Sequence, residues 1–154
     1  MTESQPPVYV GRARWERTAA FLLLRLFLGL RSLLAGVDKF ESEGVYSLEN
    51  YRRNAGHLAS GITGASFLPL WATRDFALAL GFLLVGLGVA LLLGLRTRLC
   101  LTLSGALYVA LAFGLMAAED AQGVAWLGIH LALVVAALVL SGHDRLALWP
   151  DRDE

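Results

Sequence analysis

Four long apolar segments constrain the fold of this chain more than any other feature. A helix needs about 20 mostly apolar residues to cross the hydrocarbon core of a bilayer. Residues 18–37, 76–95, 99–118 and 124–141 are close to that length, and the second and third contain no charged residue. We therefore expect an all-α, polytopic membrane protein, with four transmembrane helices in a compact bundle and residues 1–154 forming a single membrane domain.

The composition supports this class and excludes others. Hydrophobic residues make up 56% of the chain and charged residues 17%, whereas about a quarter of an ordinary soluble domain is charged. Thirteen Lys and Arg balance thirteen Asp and Glu, so no net positive charge favours nucleic acid as a partner. The single cysteine excludes an intrachain disulfide, and no Cys/His cluster has the spacing of a zinc site.

The first apolar segment has an alternative interpretation as a secretory signal peptide. Basic residues precede it, as they precede such peptides. However, the apolar stretch is too long for the core of a signal peptide, and Arg25 and Arg31 interrupt it. These features favour a helix that is retained in the protein.

The distribution of arginine predicts the orientation in the membrane. Cytoplasmic flanks of membrane helices are enriched in Lys and Arg. Basic residues occur in the head, in the turn between the second and third helices and in the tail: Arg12, Arg14, Arg17, Arg96, Arg98, Arg145 and Arg152. The turn between the third and fourth helices instead contains Glu119 and Asp120. We expect both termini in the cytoplasm of a bacterial-type inner membrane.

Two further features bear on that orientation. The connection 38–75 contains Lys39, Arg52, Arg53 and Arg74, which oppose it, but long loops obey the rule only in part. The tryptophans agree with four spans, because Trp15 and Trp149 fall at one predicted interface and Trp71 and Trp126 fall at the other.

Small residues recur every fourth position in three of the predicted helices. Lipid provides no hydrophobic drive for helix association, so small residues allow the close approach that packing requires. The three predicted packing stripes are Gly86, Ala90 and Gly94; Ala106, Ala110 and Gly114; and Gly128, Ala132 and Ala136. The alternative is that Ala and Gly are simply common in membrane helices.

The 38-residue outer loop, residues 38–75, is too long to lack secondary structure. Ser47 is a candidate N-cap for a helix that runs to about Ala59, with Tyr51, Ala55 and Leu58 on one side. The stretch GITGASFLPLWA that follows is apolar but interrupted by glycine and proline. We expect this stretch to lie on the membrane or to cap the outer end of the bundle.

Three stretches of the sequence carry a resemblance to a known family. The segment LLRLFLGLRSLLAGVDKF resembles the opening helix of DoxX-like membrane proteins, and LGVALLLGLRTRLCLTLSGAL and LVLSGHDRLALW resemble later parts of that family. The matching positions are Arg25, Gly29, Gly36 and Lys39, then Gly94, Thr97 and Arg98, and finally Gly142 to Leu146. The similarity covers most of the chain except the head and the outer loop.

The resemblance implies a four-helix membrane fold and a redox setting. Relatives include the small subunit of a thiosulfate:quinone oxidoreductase and proteins linked to periplasmic thiol redox chemistry. The outer loop is longer than in simple members of the family. Cys100 is the single cysteine and lies within an apolar helix, so the sequence itself contains no pair of thiols that would support a link to thiol redox chemistry.

Ionisable residues within a bilayer are costly and often functional, and Arg25, Arg31 and His130 lie inside the predicted spans. No Asp or Glu lies in any span. An arginine there needs other acceptors, such as backbone carbonyls, water, a lipid phosphate, a partner's carboxylate or the carbonyl of a quinone. The alternative is that each arginine extends to an interface and only anchors its helix.

His130 shares a helix face with Trp126, nearly opposite the stripe that contains Gly128. We therefore expect it to face a cavity or another protein, where it could bind a quinone oxygen or relay a proton. The alternative is a bond to a neighbouring helix, through Tyr108 or Ser104. Arg31 and His130 are expected at similar depth. The candidate ligand or partner contacts are Arg25, Arg31, Lys39, Trp126 and His130.

Three functions compete. The leading hypothesis is an integral membrane subunit of a redox or respiratory-type assembly, acting as an anchor or a quinone-contacting element beside other membrane subunits or copies of itself. The second is a stand-alone quinone-linked oxidoreductase that uses the same residues. The third is a structural or transport module without a redox role. No nucleophile–base pair indicates a catalytic centre, and quinone is the one candidate cofactor.

Overall fold

The computed structural model describes the backbone of residues 8–143 and the side chains of residues 15–142. Five α-helices account for most of it: α1 (Val8–Val37), α2 (Leu48–Ala65), α3 (Leu70–Leu93), α4 (Thr97–Ala117) and α5 (Ala121–Leu140). Short 3₁₀ turns follow α1 (Asp38–Phe40) and α5 (Ser141–His143). A hairpin of two short antiparallel strands, β1 (Glu41–Ser42) and β2 (Val45–Tyr46), precedes α2.

Helices α1, α3, α4 and α5 form a ring in which each helix packs mainly against two of the others. α1 packs against α3 and α5, and α4 packs against the same two helices. All four are long and apolar enough to cross a membrane, so the predicted multi-pass, all-α membrane fold is confirmed. The fifth helix, α2, lies against α3 and α4 at the end of the ring where α1 finishes and α3 begins, which is called the loop end below.

The predicted structure of the outer loop is confirmed in its first half. The Ser47 hydroxyl accepts a hydrogen bond from the Asn50 N–H at 3.0 Å and caps α2. Tyr51, Ala55 and Ala59 are buried on one face of α2. The hairpin before this helix turns at Glu43 and Gly44, which both have positive φ, as a two-residue hairpin turn requires.

In the second half of the loop, the predicted bounds of the helices near Ala59 and residue 76 need correction. α2 continues to Ala65 because Ile62, one turn beyond Ala59, is buried against the bundle. α3 then begins at Leu70, directly after Pro69, and not near residue 76. Proline favours a helix start because its φ is already helical and it has no N–H to leave unpaired.

Glycines bring α1 and α3 into close contact. A Cβ atom on Gly88 would lie 2.5 Å from the Leu33 nitrogen and 2.9 Å from the Gly29 carbonyl oxygen. A Cβ atom on Gly36 would lie 2.8 Å from the Val85 nitrogen and 3.0 Å from the Gly81 carbonyl oxygen. Two glycines on each helix, seven residues apart, therefore allow backbone-to-backbone contact, which dispersion forces reward in lipid.

The predicted small-residue stripes do not form the packing surfaces of the ring, which corrects that prediction. A Cβ atom on Gly86 or Gly128 would meet nothing within 4 Å. Most members of the stripes are exposed: Gly86, Ala106, Ala110, Gly128, Ala132 and Ala136. Ala90 is partly buried beside the core, and Gly114 lies near Ile62 of α2. In lipid the exposed face of a helix is as apolar as the buried face, so spacing alone could not identify the contact.

Gly94, which was predicted to belong to the packing stripe of Gly86 and Ala90, has a different role. It is the C-cap of α3, with φ +69°, and its N–H points back to the last turn of that helix. The left-handed conformation is inexpensive only for glycine. At the opposite end of α4, the Asp120 side chain accepts a hydrogen bond from the Gly123 N–H at 2.9 Å and caps α5.

The tryptophans Trp15, Trp71 and Trp126 are exposed, which suits residues at a membrane interface. Trp149, Asp144, Arg145 and Arg152 lie outside the described residues, as do the side chains of Arg12, Arg14 and His143.

Candidate functional site

A small cavity lies among all four helices of the ring, near the loop end. It has a volume of about 150 Å³ and is called the basic chamber. Arg31, Lys39, Tyr108 and His130 are the polar residues of its lining, and the other lining residues are Ala35, Leu80, Leu84, Leu111 and Leu127. Arg31 is exposed and His130 is partly exposed, so the chamber is accessible from the surface of the bundle.

A larger cavity adjoins the basic chamber. It has a volume of about 420 Å³, lies between α2, α3 and α4, and is called the apolar cleft. Lys39 and Thr73 are the polar residues of its lining, and the remainder is aliphatic or aromatic. Four residues line both cavities, namely Lys39, Leu80, Leu111 and Leu127. The two cavities together form an amphipathic site with a polar head and a long apolar arm.

The electrostatics of the site are one-sided. No Asp or Glu is among the described residues that line either cavity. The guanidinium group of Arg31 and the ammonium group of Lys39 make no hydrogen bond or ion pair with described residues. Arginine stays protonated in proteins, and a cation next to an apolar cavity attracts a compensating acceptor. The chamber therefore favours a ligand with an anionic group or carbonyl oxygens.

His130 is oriented by its own helix. Its Nδ1 lies 2.7 Å from the Trp126 carbonyl oxygen, and because a carbonyl can only accept, Nδ1 donates. In the neutral ring this places the lone pair on Nε2. Nε2 has no hydrogen-bond partner among the described residues and is available as an acceptor for a ligand hydroxyl.

Tyr108 and His130 form one wall of the chamber. The Tyr108 hydroxyl lies 3.2 Å from the Ser32 hydroxyl in a buried contact between α4 and α1. The ring of Tyr108 meets the ring of His130 edge-on, at a centroid distance of 5.9 Å. The ring of Phe27 also contacts the ring of His130, in a stacked arrangement with centroids 6.5 Å apart. These contacts hold both side chains in position.

Three of the five candidate contact residues come together in the chamber. Arg31 and Lys39 line it from the end of α1 and the turn that follows, and His130 lines it from α5. Arg25 is buried, with 5% of its surface exposed, but it does not line either cavity. Trp126 is exposed and contributes its carbonyl, not its ring, by orienting His130.

The expectation that His130 faces a cavity agrees with its place in the chamber lining. Its alternative, a hydrogen bond to Tyr108 or Ser104, does not occur. Tyr108 contacts the imidazole only through its ring, and the Ser104 hydroxyl donates to the Cys100 carbonyl at 2.8 Å.

Sequence reasoning named Tyr108 only as an alternative hydrogen-bond partner of His130, and it did not consider Ser32, which contacts the Tyr108 hydroxyl. A signal for both existed, because a buried tyrosine hydroxyl in an apolar helix requires a partner, and Ser32 is a hydroxyl-bearing residue in α1. The leucines that complete the chamber carried no such signal, since leucine is the commonest residue on every face of these helices.

The ionisable residues of the outer loop are mostly exposed, among them Asp38, Glu43, Arg52, Arg53 and His57. Of the described charged residues in this loop, Lys39 is the one that lines the chamber and the cleft. Among the described residues there is no group of three His, Cys, Asp or Glu side chains that could hold a metal ion.

Comparison with protein-family models, with curated proteins and with solved structures finds no match. The resemblance to DoxX-like proteins therefore stays a prediction. Fold and site define the class of the protein, which is a multi-pass, all-α membrane protein with a basic chamber that adjoins an apolar cleft.

Proposed function

We propose that this protein is a membrane-embedded quinone-contacting element, and that it serves as an integral subunit of a redox assembly of the DoxX-like type. One observation supports the proposal above others: a chamber lined by an oriented histidine and by two cations that pair with no described residue adjoins an apolar cleft. A quinone has the matching form, with two carbonyl oxygens on a ring and a long apolar tail.

Each part of the site has a role in this proposal. Arg31 and Lys39 donate to the carbonyl oxygens of the quinone, which can only accept. Nε2 of His130 accepts from a hydroxyl group when the ligand is in its reduced form. The aliphatic and aromatic side chains of the apolar cleft bury the tail, and α2 covers the tail from the loop end.

We further propose a bacterial-type inner membrane, with both termini in the cytoplasm. Arg96, in the turn between α3 and α4, and Arg98, in the first turn of α4, are both exposed and support this orientation through the positive-inside rule. The loop end, the basic chamber and α2 then lie towards the outer face of the membrane.

A photoreactive quinone tests the binding role. The purified protein in detergent is irradiated with a short-tailed azido-benzoquinone, and mass spectrometry maps the labelled peptides. We expect labelling of the chamber, reduced at least fivefold in Arg31→Gln. The matched control is Arg74→Gln, because Arg74 is exposed at the start of α3 and lines neither cavity. Equal labelling of both variants would refute the assignment.

Native mass spectrometry tests the assembly role on protein extracted gently from its own membranes. We expect a heteromeric mass, and the identity of the partner would name the chemistry. A single chain or homo-oligomer that retains a quinone and turns it over would instead support the stand-alone enzyme. A homo-oligomer with lipid alone would support the structural or transport module.

A further inference from the structure

The basic chamber is lined by two positive charges and by no described carboxylate. Arg31 and Lys39 both line it, and neither side chain pairs with a described residue. Asp38, which precedes Lys39 in the chain, is exposed and lines neither the chamber nor the apolar cleft. The described part of the protein therefore provides no counter-charge for these two cations within the site.

We propose, resting on the proposed quinone-binding function, that the chamber selects an acidic quinone, whose ring hydroxyl is ionised in neutral solution, over a neutral quinone with the same ring and tail. A 2-hydroxy-1,4-quinone is the simplest member of this class. It is a vinylogous carboxylic acid, so its negative charge is shared between the oxygens on ring carbons 2 and 4. The carbonyl oxygen on carbon 1 lies beside the first of these and forms with it a pair of adjacent acceptors.

Coulomb attraction gives the anion its advantage. Two cations that line one cavity repel each other, and an anion close to both offsets this repulsion, whereas a neutral carbonyl does not. Near a protein surface the effective dielectric constant is about 20, against about 80 in water, so each attraction is about four times stronger than in solution. The loss of hydration opposes binding of the anion, but Arg31 is exposed, so the site does not remove all water from the head.

The donors of the two cations also fit the oxygens of such an anion. A guanidinium group presents its N–H groups as a planar fork that suits two adjacent oxygens, and a lysine ammonium group presents three donors as a compact charge. A neutral quinone accepts hydrogen bonds from the same two groups, but it offers dipoles in place of a charge. Arg31 and Lys39 therefore distinguish the two forms of the ligand mainly by charge.

The position of the two cations suits a charged head. Lys39 lies at the end of the candidate membrane span Trp15–Phe40, in the 3₁₀ turn that follows α1. Arg31 lies less than two helical turns before the end of α1. Both are close to the end of the span, so an ionised head reaches them without crossing the hydrocarbon core. The apolar cleft, which shares Lys39 with the chamber, accepts the tail.

The test is competition in a single detergent at neutral pH by two reagents that differ by one methyl group. The azido-benzoquinone label is displaced by 2-hydroxy-3-geranyl-1,4-benzoquinone, which is ionised, or by its 2-methoxy ether, which has no proton to lose. For the unmodified protein we expect the hydroxyquinone to compete at a concentration at least tenfold lower. In Arg31→Gln and in Lys39→Gln, which each keep a donor but lose the charge, we expect the difference to fall to threefold or less.

Two further variants control this experiment. Arg31→Lys keeps the charge and should retain at least a fivefold difference. Arg74→Gln also loses one charge, but Arg74 is exposed and lines neither cavity, so the full difference should persist there. The Arg74 variant also corrects for unequal partition of the two reagents into micelles. Because Arg31→Gln and Lys39→Gln test the same point independently, one of them suffices should the other not fold.

The outcomes separate the two proposals. If both reagents compete equally, or the methoxy ether competes better, the chamber does not select an anion and this inference is wrong while quinone binding stands. If the hydroxyquinone is preferred but Arg31→Gln and Lys39→Gln leave the preference unchanged, the two cations do not select the charge and the inference is again wrong. If neither reagent competes and the chamber is not labelled, the proposed function itself is wrong.

Discussion

The Tyr51 hydroxyl of α2 accepts a hydrogen bond from the Gly81 N–H of α3 at 3.2 Å. The single proton of the same hydroxyl is donated to the Leu78 carbonyl oxygen, and the Ala77 carbonyl oxygen lies 3.3 Å away as a second, weaker acceptor. The hydroxyl therefore contacts both the Gly81 N–H and the Ala77 C=O, which are the two groups that normally pair in a helix. The contact fixes α2 on α3 and so holds the cover of the apolar cleft in place.

Removal of the Tyr51 hydroxyl should loosen this cover. We expect Tyr51→Phe to lower the free energy of unfolding by about 1 kcal/mol, the typical contribution of a buried hydrogen bond. Gly81→Ala should cost about 1–3 kcal/mol, because its Cβ atom would lie 2.5 Å from the Tyr51 ring. Reversible unfolding in mixed micelles measures both. Gly86→Ala, which meets open space, is the control, and an equal loss in that variant would contradict the argument.

The glycine contact between α1 and α3 predicts a strong sequence requirement at one position. Gly88→Ala should destabilise the protein by about 3 kcal/mol, because the added Cβ atom would meet the backbone of Leu33. Backbone atoms cannot relieve the clash by a change of rotamer, as a flexible side chain can, so the two helices must separate. Gly128→Ala should have no such cost, since nothing lies within 4 Å. Similar melting temperatures for the two variants would show that this contact does not determine stability.

His130 should matter more for binding than for stability. Its one hydrogen bond to a described residue is to the Trp126 carbonyl within α5, so His130→Ala removes little tertiary structure. We expect quinone affinity to fall at least tenfold while the melting temperature changes by only a few degrees. Trp126→Phe keeps the carbonyl and should retain binding. A lower melting temperature with unchanged binding would show that His130 has a structural role instead.

The Asp120 cap predicts a local effect on α5. Asp120→Ala should cost about 1 kcal/mol, because the Gly123 N–H loses its acceptor. Asp120→Asn, which retains a side-chain oxygen, should cost less. Glu119→Gln is the matched control, since Glu119 is exposed and does not cap α5. Calorimetric melting in detergent compares the three, and an equal loss in the control would point to the charge of the turn instead of the cap.

The arginine distribution predicts that both termini are cytoplasmic. Fusion of a reporter that is active only in the cytoplasm should give signal at either end of the chain. A reporter that is active only outside should give signal when inserted at Gly44, in the exposed hairpin turn. Signal from an external reporter at either terminus would overturn the proposed orientation.

The candidate site was partly predictable. Arg31 and His130 stand out in the sequence because ionisable residues are rare in apolar spans. In the structure both residues line the basic chamber. The rule did not distinguish them from Arg25, which is buried elsewhere in α1. It also could not select Tyr108, whose position in the wall depends on the pairing of α4 with α1 and α5.

The sequence by itself determined that the chain crosses the membrane four times. A bilayer requires about 20 apolar residues per span and leaves few alternatives. Local chemistry also determined the start of α2 at Ser47, because capping depends on neighbouring residues alone.

Only the tertiary structure decided which faces of the helices meet. In lipid both the buried and the exposed faces are apolar, so periodicity could not distinguish Gly88, which contacts α1, from Gly128, which contacts nothing. The same holds for the basic chamber. Arg31 and Lys39 lie close together in sequence, at the end of α1 and in the turn after it, but His130 is distant from both, and the packing of α5 against α1 brings it to the same cavity.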